Sequence, residues 1–371
     1  MTELLRIENL TKEFSVAGST FPAVDDVSFT LHAGETLSVV GESGCGKSTL
    51  GRVIVRGIDA TSGRVLYSPD AAADDPGPQD ATAGKEIDFL SLKGRQLKAV
   101  RQDIQMIFQD PLSSLDPRMT VFDIIAEPLR ATSRPSRSEV RRRVFDIAQK
   151  VGLDASHLRR YPHSFSGGQR QRIGIARALV TGAKVIVADE AVSALDVSIR
   201  AQIINLLKGL QDELGIAYLF IAHDLSIVEY ISDRVAVMYL GQVVELAETD
   251  QLFSTPRHPY TEVLLSAVPQ PDPEVRRERI VPRGEVPSPT QRPAGCLFST
   301  RCHYATELCR TETPPLQEVE PGHYSACHFA RELSLRGLAA VAPERVEQPQ
   351  AEAEHYSEVP AEEHLSSPKP A

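Results

Sequence analysis

The stretch Gly41-Glu42-Ser43-Gly44-Cys45-Gly46-Lys47-Ser48-Thr49 constrains this chain more than any other. It fits G-x-x-x-x-G-K-[ST], between a short apolar run, 37–40, and a helix-compatible segment from Lys47 to about Gly57. Glycines let backbone N–H groups turn inward around phosphate oxygens, and a helix N-terminus adds positive dipole. Lys47 is expected to meet β- and γ-phosphates and Ser48 to ligate Mg²⁺. Cys45 reads as a small spacer and not a nucleophile.

Other runs alternate between strand and helix. Residues 4–67 read as short strands with turns, and 104–108 as a strand. From 111 to 172 the pattern becomes helical and basic, with Val144, Ile147, Ala148 and Val151 at three- and four-residue spacing. Val185-Ile186-Val187-Ala188 is an unbroken apolar run, as expected of a strand buried on both faces. A helix over 198–214, a strand over 216–222 and a hairpin around Leu240-Gly241 follow. The alternation predicts an α/β fold with a mostly parallel central sheet.

The apolar run ends on Asp189-Glu190. Parallel sheets bind ligands at strand C-termini, so Asp189 is expected to hold Mg²⁺ and Glu190 to orient the attacking water. Charge adds little to this reading. The chain carries 40 basic and 50 acidic side chains, but the stretches 68–86 and 341–371 account for nine of the ten net negative charges. Both are poor in large apolar residues and are read as disordered. The near-neutral remainder gives no support for nucleic-acid binding. No run of about 18 apolar residues is present, and the N-terminus lacks a signal pattern, which predicts a cytosolic chain.

Phe165-Ser166-Gly167-Gly168-Gln169 resembles the signature motif of ABC-transporter ATPases, usually LSGGQ, with Phe in place of Leu. Other family marks fall in order: Gln109 resembles the Q-loop glutamine, Ser193-Ala194-Leu195-Asp196 the D-loop, and His223 the switch histidine. Phe14 resembles the aromatic that stacks on adenine, with Phe21 as a rival. Ala191 replaces the proline often found after the catalytic glutamate. The resemblance implies a P-loop NTPase cassette with an antiparallel β subdomain and a helical signature subdomain (about 110–172) within 1–255. Gly41 to Thr49, Phe14 and Gln109 would bind ATP, and Ser48, Gln109 and Asp189 would hold Mg²⁺. Glu190, His223 and Lys47 would be catalytic. Ser166, Gly167, Gly168 and Gln169 would close over ATP held by another subunit, with Asp196 in the D-loop between them.

Beyond Gln251 the sequence narrows the resemblance. Thr255-Pro256-Arg257-His258-Pro259-Tyr260-Thr261 and Gly284-Glu285-Val286-Pro287-Ser288-Pro289 resemble the C-terminal extension of oligopeptide/dipeptide importer ATPases, placed here at 256–335 before a tail at 336–371. The phosphate-loop neighbourhood is similar to the "F" partner of such importers. The resemblance implies a second, different ATPase subunit, two permease subunits and an extracytoplasmic solute-binding protein, at the cytoplasmic face of the membrane, with no nucleic acid. A soluble ABC-type ATPase acting on DNA or ribosomes is the alternative.

Cys296, Cys302, Cys309 and Cys327 place four of the five thiols within one short stretch. Clustered thiols in a reduced compartment suggest metal ligation by Zn²⁺ or an iron–sulfur cluster, with unmetallated buried thiols as the third reading. The spacing lacks a C-x₂-C knuckle. Resemblance to the importer group implies [4Fe–4S], and His303, His323 and His328 are substitute ligands.

Overall fold

The computed structural model describes residues 2–16, 18–69, 86–133, 135–269 and 279–338. The expected disorder of 68–86 and of the tail lies almost wholly outside these residues. In chain order the strands are β1 (Glu3–Val16), β2 (Ser19–His32), β3 (Thr36–Val40), β4 (Ser62–Tyr67), β5 (Ile87–Asp88), β6 (Ile104–Ile107), β7 (Val185–Asp189), β8 (Ala217–Ile221), β9 (Arg234–Tyr239), β10 (Gln242–Glu248), β11 (Gln317–Glu320) and β12 (His323–Ser325). The helices are α1 (Lys47–Ile54), α2 (Gly94–Asp103), α3 (Val121–Thr132), α4 (Arg137–Lys150), α5 (Gly167–Leu179), α6 (Val197–Leu214), α7 (Leu225–Ile231), α8 (Thr249–Ser254), α9 (Pro259–Ser266) and α10 (Glu307–Thr311).

Two sheets carry the fold. A four-stranded antiparallel sheet runs β2-β1-β4-β5, and an eight-stranded sheet runs β11-β12-β10-β9-β3-β8-β7-β6. Strands β9, β3, β8, β7 and β6 are mutually parallel, while β10, β12 and β11 join antiparallel at one edge. The expected α/β fold with a parallel centre is what forms. The expected short strands at the N-terminus are instead two strands of 14 residues each. Asn9 and Asp26 sit at φ 47 and 53, and the β1–β2 register shifts between Ile7 and Leu10. Such irregularities bend a strand and interrupt the period-two pattern that a sequence reading looks for.

The apolar runs are explained by two cores, one on each face of the main sheet. Val185, Val187, Leu219 and Ile221 point into the core shared with the antiparallel sheet and α1. Ile186, Ala188, Tyr218 and Phe220 point into the other, shared with the helices. Alternate side chains thus serve opposite faces, and every position is apolar.

In the helical region, Ser136 caps α4 by accepting from the Glu139 N–H at 3.2 Å, and Val140, Val144, Ile147 and Ala148 form its buried stripe. Phe165, the residue that departs from the usual signature leucine, is buried in the helix-side core, edge-on to His157.

The C-terminal region is fastened to the main sheet by strand pairing and by one buried carboxylate. Glu245 on β10 accepts from the backbone N–H of Arg257 and His258 at 2.5 and 3.0 Å, from Thr261 Oγ1, and from His323 Nε2 at 2.7 Å. Glu245 and His323 are both fully buried, so these partners meet the cost of removing the carboxylate from water. No helix among the described residues is long and apolar enough to cross a membrane.

Candidate ATP site and thiol pocket

The phosphate loop leaves β3 and enters α1, as the motif requires. Gly46 occupies the N-cap at φ 110, and a Cβ there would stand 2.1 Å from the Ala23 carbonyl oxygen. A Cβ at Gly41 would stand 2.2 Å from the Met238 carbonyl oxygen. Only glycine lets the loop fold this tightly against its neighbours. Lys47 Nζ donates to the carbonyls of Gly41 and Glu42 at 2.7 and 2.9 Å, so the ammonium lies inside the loop's curve. Burial pushes the Cys45 thiol up, against the pull of Lys47, which keeps it neutral and suits its reading as a spacer.

The end of β7 faces the start of α1. Ser48 Oγ donates to Asp189 Oδ1 at 2.7 Å. Asp189 is buried, and desolvation raises its pKa despite the Ser48 hydrogen bond. Glu190 follows at φ 45, a left-handed conformation rare for a non-glycine residue. This turn directs its carboxylate to Gln109 Nε2 at 2.9 Å and to His223 Nδ1 at 3.3 Å. Three motifs distant in sequence, after β6, β7 and β8, converge on one carboxylate.

Phe14 and Phe21 face each other across the β1–β2 pair, with ring centroids 6.4 Å apart. Phe14 is exposed rather than in the core, and Lys12 Nζ lies 5.1 Å from its ring centre.

Ser166 caps α5 through a reciprocal capping box with Gln169. Gly167 and Gly168 pack against Leu195 and Ile199, so the signature and the D-loop form one surface. Asp196 opens α6 beside the exposed Val197. Among the described residues no hydrogen bond or ion pair joins Ser166–Gln169 to Gly41–Thr49.

Sequence reasoning missed two contacts to the phosphate loop. The Glu42 N–H donates to Tyr260 Oη at 2.7 Å, and the Glu42 carboxylate takes two hydrogen bonds from Arg301, at 2.7 and 3.0 Å. Tyr260 at least lies in the run 255–261 that marks the C-terminal extension. Arg301 carries no such signal, because its partner lies 259 positions away.

Cys296, Cys302, Cys309 and Cys327 line one small pocket, together with His258 and His328. As placed, however, no three His, Cys, Asp or Glu side chains among the described residues form a group able to hold a metal ion. The four thiols of the expected metal site thus share one pocket, and among the described residues they are not drawn together into a coordination shell. Burial and neighbouring thiols push Cys302 up to about 11 and Cys327 up to about 12, the pattern of neutral, close-packed thiols. The Tyr304 N–H points at Cys302 Sγ from 3.4 Å. Of the substitute ligands, His303 meets the Val281 carbonyl and His323 meets Glu245, so neither turns to the thiols. His328 lines the pocket with its Nε2 at the Glu312 carbonyl.

Comparison with known proteins decides the family. Residues 24–193 match the family "ABC transporter", and residues 244–309 match "Oligopeptide/dipeptide transporter, C-terminal region". The chain is 48% identical over 358 residues to "Probable peptide ABC transporter ATP-binding protein y4tS" of Sinorhizobium fredii, covering 93% of this chain and 97% of that protein. The chain belongs to the ABC-transporter ATP-binding subunits. It is also 47% identical to "Oligopeptide transport ATP-binding protein AppF" of Bacillus subtilis, covering 88% of this chain and 97% of the relative. Among solved structures it resembles the dimeric bacterial ABC transporter cassette MJ0796, with a TM-score of 0.56 at 27% identity, over 66% of this chain and 99% of the cassette. The same cassette has a post-hydrolysis dimer bound to ADP and Pi, with equal coverage and score. This ABC subunit is an ATPase, and the cassette fold expected from its motifs is the fold it has.

Proposed function

We propose that this chain is the ATP-hydrolysing subunit of a peptide-type ABC importer, working at the cytoplasmic face of the membrane. The observation that carries the reading is the coexistence, in one chain, of the Gln109–Glu190–His223 array beside the phosphate loop with a C-terminal region of the oligopeptide/dipeptide type. The C-terminal match and the relatives' names favour transport over a soluble ATPase acting on DNA or ribosomes.

ATP would lie along Gly41–Thr49 with adenine against Phe14. Lys47, already inside the loop, would turn to the β- and γ-phosphates. Ser48, Gln109 and Asp189 would hold Mg²⁺, whose charge offsets that of the phosphate oxygens. Glu190 would orient water for attack on the γ-phosphorus, and His223 would steady that arrangement. The ADP oxygen leaves as the water oxygen bonds to phosphorus. Ser166–Gln169 would serve the ATP of a second, different ATPase subunit, with this chain as the "F"-type partner of the heterodimer. Two permease subunits and an extracytoplasmic solute-binding protein complete the assembly. Residues 1–255 would be the cassette and 256–335 its importer extension.

The four thiols would hold a [4Fe–4S] cluster or Zn²⁺. The donor set is soft and shielded, and an N–H aimed at one sulfur suits a thiolate. Loading would release protons from the raised thiols. Iron, sulfide and zinc analysis of anaerobically purified chain distinguishes the two metals, and a metal-free folded chain refutes both.

Co-purification from gently solubilised membranes tests the main reading. Recovery of two membrane subunits and a second ATPase, with ATP turnover in the eluate, is expected. Recovery of ribosomal proteins or nucleic acid alone would overturn it.

A further inference from the structure

Glu42 introduces a negative charge into a loop built to receive phosphate. Its carboxylate is held in a two-pronged pair with Arg301, whose side chain is 7% exposed. Arg301 ends a tight turn in which the N–H groups of Arg301 and Cys302 both donate to the Phe298 carbonyl, at 2.9 and 3.0 Å. Its guanidinium carbon lies 5.9 Å from the ring centres of both Tyr239 and Phe298. Those two rings and Tyr260 pack on one another with centroids 4.7 to 5.3 Å apart. Tyr260 also receives the Glu42 N–H. The same residue of the phosphate loop is therefore gripped at its backbone and at its side chain by the C-terminal region. A cavity of about 260 Å³ adjoins this grip, walled by Glu42–Cys45 on one side and Val286–Pro289 on the other.

We infer that Arg301 is a positioning residue for ATP binding: it neutralises Glu42 and fixes the phosphate loop in its receiving shape. Two physical arguments support this. A planar guanidinium bound through two parallel hydrogen bonds fixes direction as well as distance, which a lone ammonium does not. An unpaired carboxylate in the loop would oppose the approach of a polyanion, and the aromatic surround makes that opposition stronger than it would be in open water. The grip acts on binding, since Arg301 touches neither Glu190 nor His223. The C-terminal region thereby becomes part of the nucleotide site of its own chain.

The inference rests on Gly41–Thr49 being the ATP site. KM for ATP and kcat are measured in the assembled transporter for wild type, R301Q, E42Q and R301Q/E42Q, with K47A as the control. R301Q should raise KM about 10-fold or more with kcat changed less than about 3-fold, and adding E42Q should return KM to within about 3-fold of wild type. A loss of stability alone would lower the melting temperature and the yield of active transporter without raising KM, so a thermal melt of each variant is read beside KM. KM within about 2-fold of wild type in R301Q, or a raised KM that E42Q leaves unrelieved, overturns the inference. If R301Q does not fold, R301K and R301K/E42Q decide on the same terms: a severalfold rise in KM that E42Q relieves supports the inference, and an unchanged KM or an unrelieved rise refutes it. Unimpaired turnover in K47A would instead refute the reading of the loop itself.

Discussion

Ser48 and Asp189, 141 positions apart, share a hydrogen bond of 2.7 Å that joins the first residues of α1 to the end of β7. The hydroxyl and the carboxylate are thereby fixed side by side where Mg²⁺ is proposed to sit. Asp189→Asn keeps the shape and removes the charge. The Mg²⁺ concentration giving half-maximal turnover should rise about 10- to 100-fold. A variant with wild-type Mg²⁺ dependence would exclude Asp189 from the metal's surroundings.

Glu190 receives both Gln109 and His223, so it is the group on which the hydrolytic reading depends. Glu190→Gln should lower kcat by about 10²- to 10⁴-fold while ATP is still bound. Single-turnover assays with a separate nucleotide-binding measurement check both halves. Turnover equal to wild type would remove Glu190 from the chemistry.

Phe14 and Phe21 differ in exposure, and this gives them different expected roles. Phe14→Ala should weaken ATP affinity by about 2- to 10-fold through loss of ring stacking. Phe21→Ala should weaken it less. The reverse order in equilibrium binding would make Phe21 the adenine's partner.

Gly46 cannot be replaced without strain. Its φ of 110 is a left-handed conformation, and the Ala23 carbonyl oxygen would stand 2.1 Å from any added Cβ, which leaves no room for a methyl group. Gly46→Ala should cost about 1–3 kcal/mol or more and abolish nucleotide binding. Thermal melts and ATP binding report on the two effects separately.

Acid should weaken the C-terminal region through His258. Burial pushes this imidazole down to about 3, whereas an unfolded histidine titrates near 6.5. The native chain refuses a proton that the unfolded chain accepts. Stability from this group is therefore full above about pH 6.5 and falls towards pH 3, by up to about 1.4 kcal/mol per pH unit. Urea midpoints between pH 7.5 and 5 should fall more steeply for wild type than for His258→Asn. Parallel slopes would contradict the assignment.

The residues proposed to act on ATP are legible in the sequence because they are local. Gly41–Thr49 announces itself by spacing, and Val185–Glu190 by an apolar run that ends in charge. The alternation of Val185 and Val187 with Ile186 and Ala188 between two cores is hidden in such a run, since every position is apolar. The length of β1 and β2 escapes a sequence reading because Asn9 and Asp26 break the pattern with left-handed backbone. The Arg301–Glu42 pair has no local trace at all. Long-range ion pairs are made by tertiary packing, and an isolated arginine in a turn looks like any surface cation.

The β11–β12 hairpin has a consequence for how far this chain can be shortened. β12 completes the hydrogen bonding of β10 through Glu245 and Leu246. A chain ending before residue 317 would bare the outer rim of β10, whose interior positions are buried and, Glu245 apart, apolar. Such a rim is a template for a foreign strand, and the truncated cassette would be prone to clump with its own kind. This closing hairpin is a guard against self-association as much as an ending.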